Sequence, residues 1–269
     1  MNAVLEDMAP EALAAAIENN AVACCKHWAR WPKLRLYEEP NMVLTLSNIR
    51  FPYFNNVFAA QFRSNECAAA IDGVLTKAKA LDLPMFWWTG PSTEPHDLGS
   101  QLEDKGFSHL YEAAGMAVDL SSLRAGRGAP PELSIRQVRT PVALRSWAKI
   151  TTTVFEFPGF ATAPWFDMHA TVGFDGAYRH YLGLLRDVPV AAASMFFGEG
   201  VAGISNVATL AHERRRGIGS AITLEALLDA RREDYRIGVL FASEAGKGIY
   251  ENLGFGTYCT GGCYLWDNG

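Results

Sequence analysis

Three short pieces of the sequence recur at a nearly constant distance along the chain. They are Asn56–Ala59 with Asn206–Thr209, Gly106-Phe107 with Gly254-Phe255, and Tyr111 and Gly115 with Tyr258 and Gly262. The second copies lie 150, 148 and 147 residues after the first. Because the order is kept and the offset barely changes, the pieces indicate an internal duplication. The alternative is coincidence between two unrelated domains that are both rich in turn glycines.

A break in composition separates the two copies. Residues Ser121–Pro131 combine serine, glycine and a pair of prolines between two apolar runs. We therefore expect a linker over 121–131, between an N-terminal domain of residues 1–120 and a C-terminal domain of residues 132–269. Both have an ordinary domain size. At 269 residues and 49% hydrophobic, the chain can bury a core without a metal ion or a disulfide.

The C-terminal copy shows the periodicities of a mixed α/β unit. They predict a strand at Leu133–Arg139, a helix at Pro141–Thr153 capped by Thr140, an aromatic loop at Phe155–Phe166, strands at Tyr181–Arg186, Val190–Phe197 and Val201–Leu210, a helix at Gly217–Arg232, a strand at Ile237–Ala242 and a short helix ending at Gly254. This order is typical of a mixed sheet with helices on both faces.

The segment from Arg214 to Ser220, with sequence RRRGIGS, carries the strongest chemical signal. It follows a strand-like run and opens an apolar helix. Glycines at such a junction leave backbone N–H groups uncovered, and the helix N-terminus adds partial positive charge, so the segment predicts an anion site suited to phosphate. It is not a dinucleotide fingerprint, because Ile222 stands where a third small residue is needed, and it lacks the lysine of a P-loop.

Arg214-x-x-Gly217-x-Gly219 resembles the acyl-CoA-binding motif R/Q-x-x-G-x-G/A of the GNAT superfamily of N-acetyltransferases. Ile249–Phe255 is similar to the closing-helix signature of the same family, and the resemblance covers about Leu133 to Trp266. It implies an α/β (α+β) fold of two GNAT-like domains in tandem, each a mixed, mostly antiparallel twisted sheet flanked by helices. It also implies acetyl-CoA as the acyl-donor cosubstrate, no metal, and a C-terminal domain that is the catalytic one.

The resemblance further implies which residues hold acetyl-CoA. In the family, the fourth and fifth strands splay apart and the cosubstrate lies in the gap. Matched by position, the pyrophosphate would be held by backbone N–H groups of Arg215, Arg216, Gly217, Ile218, Gly219 and Ser220. Backbone groups of Val207 and Thr209 would bind the pantetheine arm, and the Val207 N–H would polarise the thioester carbonyl. Ser243 stands where the family often carries an asparagine that contacts this arm.

Tyr250 is the candidate catalytic residue, as the general acid that returns a proton to the departing thiolate. The alternative is a helix tyrosine that only packs. The general base is left open among several titratable residues, none favoured over the others, with a water chain as a further alternative. These residues are Glu156, Asp167, His169, His180 and His212. The aromatic loop either lines the acceptor pocket or packs in the core.

The N-terminal copy lacks both chemical features. At the stretch that matches the glycine loop it reads Phe62–Cys67, with no glycine and with Glu66 at the would-be anion site, and Leu102 stands where Tyr250 stands. We therefore expect a degenerate GNAT-like domain that does not bind CoA.

Charge and cysteine content limit which partners and which cellular compartment we expect. A net charge of −5 argues against a nucleic-acid partner. No export signal or membrane-spanning segment is expected, and five unpatterned cysteines favour free thiols in a reducing cytoplasm. The expected function is direct acetyl transfer to a small-molecule or peptide amine, by a monomer or homodimer. A non-catalytic acyl-CoA-binding sensor or interaction module, and a transferase for another acyl group, are the alternatives.

Overall fold

A computed structural model of the chain describes residues 4–126 and 128–267. The helices are α1 (Pro10–Trp28), α2 (Ser64–Ala80), α3 (Leu98–Asp104), α4 (Pro141–Val154), α5 (Thr162–Val172), α6 (Ile218–Arg232) and α7 (Glu244–Leu253). The strands are β1 (Arg35–Glu39), β2 (Met42–Leu46), β3 (Asn56–Phe58), β4 (Met85–Thr89), β5 (Ser108–Asp119), β6 (Leu133–Gln137), β7 (Tyr178–Leu185), β8 (Val188–Gly198), β9 (Val201–Thr209), β10 (Ile237–Ala242) and β11 (Gly256–Trp266).

The helix boundaries of the C-terminal half follow from local chemistry. Thr140 caps α4, because its Oγ1 accepts the N–H of Ala143 at 3.2 Å. At the end of α7, Gly254 adopts a left-handed conformation with φ 104°, and the N–H of Phe255 donates to the carbonyl of Tyr250 at 3.1 Å. Both ends confirm the sequence-based expectation.

Helix α5 departs from that expectation. It begins inside the segment that the sequence analysis assigns to an aromatic loop, Phe155–Phe166. Trp165, Met168, His169 and Val172 are buried at helical spacing on its inner face. The ring of Trp165 stacks 5.9 Å from that of Trp147, so this part of the segment packs in the core.

All eleven strands form one continuous sheet, in the order β1-β2-β3-β4-β11-β5-β10-β9-β8-β7-β6. The closing strand of each half lies among strands of the other half. Strand β5 runs antiparallel between β10 and β11, and β11 runs antiparallel between β4 and β5. The fold is therefore a mixed, mostly antiparallel tandem arrangement whose halves exchange strands. The division at 121–131 remains a prediction, and Arg127 of that segment lies outside the described residues.

Helices cover both faces of the sheet in the C-terminal half. Helices α6 and α7 pack on one face, around Ile222 and Leu253. Helix α1, from the N-terminal half, crosses the opposite face, where Leu13 and Ile17 pack against Val239 of β10. Helices α4 and α5 pack on that same opposite face beside it.

Across residues 4–126 and 128–267, none of the helices combines the length and apolarity required to cross a membrane. The five cysteines, at positions 24, 25, 67, 259 and 263, are all free thiols.

Candidate functional site

Strands β9 and β10 separate part of the way along their length. They pair in parallel only at Ala202–Gly238 and Gly203–Val239. A bulge in β9 lies just beyond these pairs, and there Asn206 has a left-handed backbone with φ 53°. A bulge bends the strand that contains it. The rest of β9, up to Thr209, has no strand partner on the side facing β10 among the residues described.

The glycine loop closes the end of this gap. Gly217 adopts φ 75° and ψ 0° and precedes α6 without a side-chain cap. Within the described chain, the N–H groups of Arg215 to Ser220 donate to no acceptor outside the helix. Because the first N–H groups of a helix also lack partners inside it, this end of α6 presents a set of free donors together with the positive end of the helix dipole.

The three arginines of the loop have different surroundings. The guanidinium of Arg214 donates through Nε to the carbonyl of Thr209 at 3.1 Å, which fixes the loop to the end of β9. Arg216 forms an ion pair with Glu213. Arg215 is exposed and forms no ion pair with any described residue. Its guanidinium is therefore a positive charge, unpaired by the described residues, at the mouth of the loop.

Gly219 faces open space at the start of α6. A β-carbon added there would lie 3.7 Å from Oγ1 of Thr209 and 3.8 Å from Cδ1 of Ile249, which are ordinary contact distances. The fold itself does not require a glycine at this position. The space in front of Gly219 lies between the end of β9 and α7, where a ligand in the gap would pass.

Ser220 points away from this space. Its side chain is buried, and its Oγ has no hydrogen-bond partner among the described residues. A β-carbon on Gly126 would collide with that Oγ, so the segment after β5 passes directly over it. The N–H of Arg124 donates to the carbonyl of Leu253 at 3.1 Å and holds the segment there. Ser220 can therefore offer a ligand its backbone N–H but not its hydroxyl.

Tyr250 both packs and presents a free hydroxyl. Its side chain is 8% exposed, and its ring lies 5.9 Å from that of Phe255. The hydroxyl makes no hydrogen bond to the described residues, and they do not enclose it completely. Burial raises the pKa of Tyr250 to about 12, so the phenol holds its proton at neutral pH. Ser243, exposed at the end of β10, does not cap α7 with its hydroxyl.

A buried polar network lies against the bulge of β9. Nδ1 of His180 lies 2.8 Å from Oγ of Ser194, and the amide of Asn206 donates to that oxygen at 3.3 Å and to the hydroxyl of Tyr178 at 3.3 Å. His180 and His169 are fully buried. Burial lowers the pKa of His180 to about 3 and holds the pKa of His169 well below its ordinary value.

The other candidate bases are placed differently. Asp167 accepts hydrogen bonds from Lys33 and Trp31, both at 3.0 Å, and the hydrogen bond from Lys33 is the main reason that its pKa is lowered. His212 is exposed, and Glu156 follows α4 with φ 55°. Among the candidate bases, His180 hydrogen-bonds to the network at the bulge through Ser194, and His169 contacts it through the ring of Tyr178. Asn206 and Ser194 are not among the site residues predicted from the sequence, although the repeated Asn-Val pair is a signal for Asn206.

The corresponding gap in the N-terminal half is filled by the chain itself. Strands β3 and β4 also pair at only two positions, Asn56–Phe86 and Val57–Trp87. Beyond them, the N–H of Glu94 donates to the carbonyl of Ala60 at 3.0 Å, and the N–H of Phe62 donates to the carbonyl of Glu94 at 2.9 Å. Leu102, at the position of Tyr250, is fully buried. The loop after β4 thus occupies the edge of β3 that a ligand would need.

Comparison with known proteins finds a family match over part of the chain and a similar fold over nearly all of it. Residues 200–258 match the acetyltransferase (GNAT) domain family. The search of curated proteins found no match. A GCN5-related N-acetyltransferase from Kribbella flavida is similar in structure, with a TM-score of 0.72 and 18% identity over 93% of this chain and 96% of that chain.

Two further solved structures share the whole fold. A GCN5-related N-acetyltransferase from Sphaerobacter thermophilus has a TM-score of 0.62 at 15% identity, over 96% of this chain and 93% of that chain. A tandem GNAT protein from the clavulanic acid biosynthesis pathway has a TM-score of 0.61 at 13% identity, over 99% of this chain and 97% of that chain. Residues 200–258 thus match the acetyltransferase (GNAT) domain family, and the whole chain shares the fold of these two GCN5-related N-acetyltransferases and of the tandem GNAT protein.

Proposed function

We propose that the protein transfers an acetyl group from acetyl-CoA to a primary amine, by direct attack in a ternary complex. One observation carries the proposal. The gap between β9 and β10 leads to the uncapped N-terminus of α6, so that an extended arm and a phosphate group are accommodated end to end.

The residues present fit this cosubstrate. The free edge of β9 offers backbone groups at Val207 and Thr209 to the amides of the pantetheine arm, as an added strand would use them. The free N–H groups from Arg215 to Ser220 suit the pyrophosphate, and the open space at Gly219 lets phosphate oxygens approach the backbone.

Acetyl-CoA supplies a thioester carbonyl that an amine can attack. The amine nitrogen forms a bond to the carbonyl carbon, the carbon–sulfur bond breaks, and the amine loses one proton. The Val207 N–H stabilises the negative charge that develops on the carbonyl oxygen. The hydroxyl of Tyr250 gives its proton to the departing sulfur, and the proton lost by the amine passes through water and restores that hydroxyl.

We further propose that only the C-terminal half binds acetyl-CoA. The hydrogen bonds of Glu94 across the matching gap support this. We place the protein in the cytoplasm as a monomer or homodimer that acts on a small-molecule or peptide amine, with neither nucleic acid nor membrane as a partner. The net charge of −5 and the free cysteines support that placement.

The test has two steps. Acetyl-CoA at millimolar concentration is expected to raise the melting temperature, and the protein is then expected to release free thiol from acetyl-CoA in the presence of an amine from a panel. No thermal shift refutes the proposal. A thermal shift without thiol release across the panel favours the acyl-CoA-binding sensor instead.

A further inference from the structure

Two aromatic side chains are partly exposed, although they belong to interior strands of the sheet. Phe241 of β10 is 36% exposed and Tyr111 of β5 is 43% exposed. Interior strands are normally covered by a packed layer on each face. Helix α1 provides that layer over Val239 of β10 and over Gly115 of β5, where Ile17 lies against the strand. Beyond these contacts, the rings of Phe241 and Tyr111 remain partly exposed.

The strand register shows that these rings belong to one strip. Phe241 is paired with Gly115, which lies on the same face of β5 as Tyr111. Tyr111 is paired with Cys263, and Cys263 is paired with Trp88. The ring of Trp88 lies 6.3 Å from that of Tyr111 and stacks 5.9 Å from that of Phe58. We call Phe241, Tyr111, Trp88 and Phe58 the aromatic strip.

The aromatic strip begins at the gap. Gly203 and Val239 form the last pair between β9 and β10. Ser205 and Phe241 each lie two residues further along, so their side chains face the same side of the sheet across the gap. The strip therefore starts opposite Ser205, whose hydroxyl accepts a hydrogen bond from the amide of Asn206 at 3.4 Å. From there it continues into the N-terminal half, which contributes three of its four rings.

We propose that the aromatic strip binds the body of the acceptor, and that the acceptor is an amine attached to an aromatic ring. This inference rests on the proposed function, because it takes the gap as the place where the acetyl group is delivered. Aromatic side chains favour flat apolar groups through stacked and edge-on contacts. None of the four side chains of the strip is charged. The carboxylate of Glu18, beside the strip, is buried and accepts the N–H of Ser92 at 2.9 Å, so the chain itself holds it rather than exposing it to a polyamine or an amino sugar. The amine itself would lie toward the hydroxyl of Ser205 and the amide of Asn206.

The test measures the affinity of two amines for the full-length protein in the presence of CoA, by isothermal titration calorimetry. 2-Phenylethylamine and n-hexylamine both present a primary ammonium group, and only the first carries a ring. We expect 2-phenylethylamine to bind about tenfold more tightly, because two contacts between aromatic rings would add about that much affinity. Tyr111→Ala is expected to abolish most of this preference. Leu110→Ala is the matched control, since Leu110 is 44% exposed on the same strand and lies outside the strip.

The outcomes separate this inference from the proposed function. Equal affinity for the two amines, or an equal loss of preference in Leu110→Ala and Tyr111→Ala, overturns the acceptor class. An unchanged melting temperature for Tyr111→Ala shows that the variant is folded, and a preference that survives in the folded variant also overturns the inference. Selective binding of 2-phenylethylamine without any thiol release from acetyl-CoA leaves the strip in place and overturns the acetyltransferase proposal.

Discussion

Replacing Gly219 by alanine separates the stability of the protein from its affinity for acetyl-CoA. The new methyl group would contact Oγ1 of Thr209 and Cδ1 of Ile249 at 3.7 and 3.8 Å, without overlap. Alanine is also the better helix former, by about 1 kcal/mol in a helix interior. The ligand-free variant should therefore melt at the wild-type temperature or slightly above it. The methyl group nevertheless lies in the space proposed for the pyrophosphate.

The expected size of the effect follows from mass action. Acetyl-CoA at about 100 times its Kd stabilises the wild type by about 2.7 kcal/mol, or about 5–11 °C in melting temperature for a chain of this size. Loss of one hydrogen bond to a charged group costs about 2 kcal/mol, which weakens binding about thirtyfold. At the same ligand concentration, Gly219→Ala should then gain only about 2–3 °C.

Differential scanning fluorimetry with and without acetyl-CoA measures both quantities. Gly73→Ala is the matched control, because Gly73 is also a helical glycine and lies on α2 of the other half. No atom lies within 4 Å of its added β-carbon. Its ligand-induced shift should equal that of the wild type. A full wild-type shift in Gly219→Ala would refute the placement of the pyrophosphate. A large fall in its ligand-free melting temperature would refute the contact argument.

Two further perturbations address the tyrosine and the buried histidines. Tyr250→Phe should lower kcat for thiol release about 100-fold or more with no change in the Kd of acetyl-CoA, and an unchanged kcat would remove Tyr250 from the reaction. His180 has a pKa of about 3 in the folded protein, whereas an unfolded histidine titrates near ~6.5, so the unfolded chain binds the extra proton as the pH falls. The unfolding free energy should therefore drop between pH 8 and pH 5.5, with about 1.4 kcal/mol of that drop due to this one residue. Urea unfolding of His180→Gln should show a drop smaller by that amount. An identical drop in the wild type and in His180→Gln would contradict the assigned pKa.

Features set by neighbouring residues were predictable from the sequence. The bounds of β10 at Ile237–Ala242, the cap at Thr140 and the end of α7 at Gly254 all depend on residues within a few positions. The glycine loop belongs to the same class, because Gly217 and its left-handed conformation are local properties. Helix α5 was missed because prolines and closely spaced aromatic residues obscured its apolar periodicity.

Features that depend on distant segments were not predictable. The duplicated pieces make the closing strands of the two halves similar, so the local pattern of β11 does not specify that it pairs with β4 rather than with strands of its own half. The network of His180, Ser194 and Asn206 forms only when β7, β8 and β9 lie side by side. The aromatic strip likewise needs Phe241 and Tyr111 from different halves of the chain.

The exchange of closing strands also has a consequence for synthesis on the ribosome. Strand β4 leaves the ribosome roughly 180 residues before β11 is complete, an interval of about 9–36 s at roughly 5–20 residues per second. Until then, the side of β4 that pairs with β11 in the finished sheet is an open strand edge, which invites pairing with other chains. We therefore expect neither half to reach its native sheet during translation, and nascent chains of this protein to need chaperone protection until both halves are present.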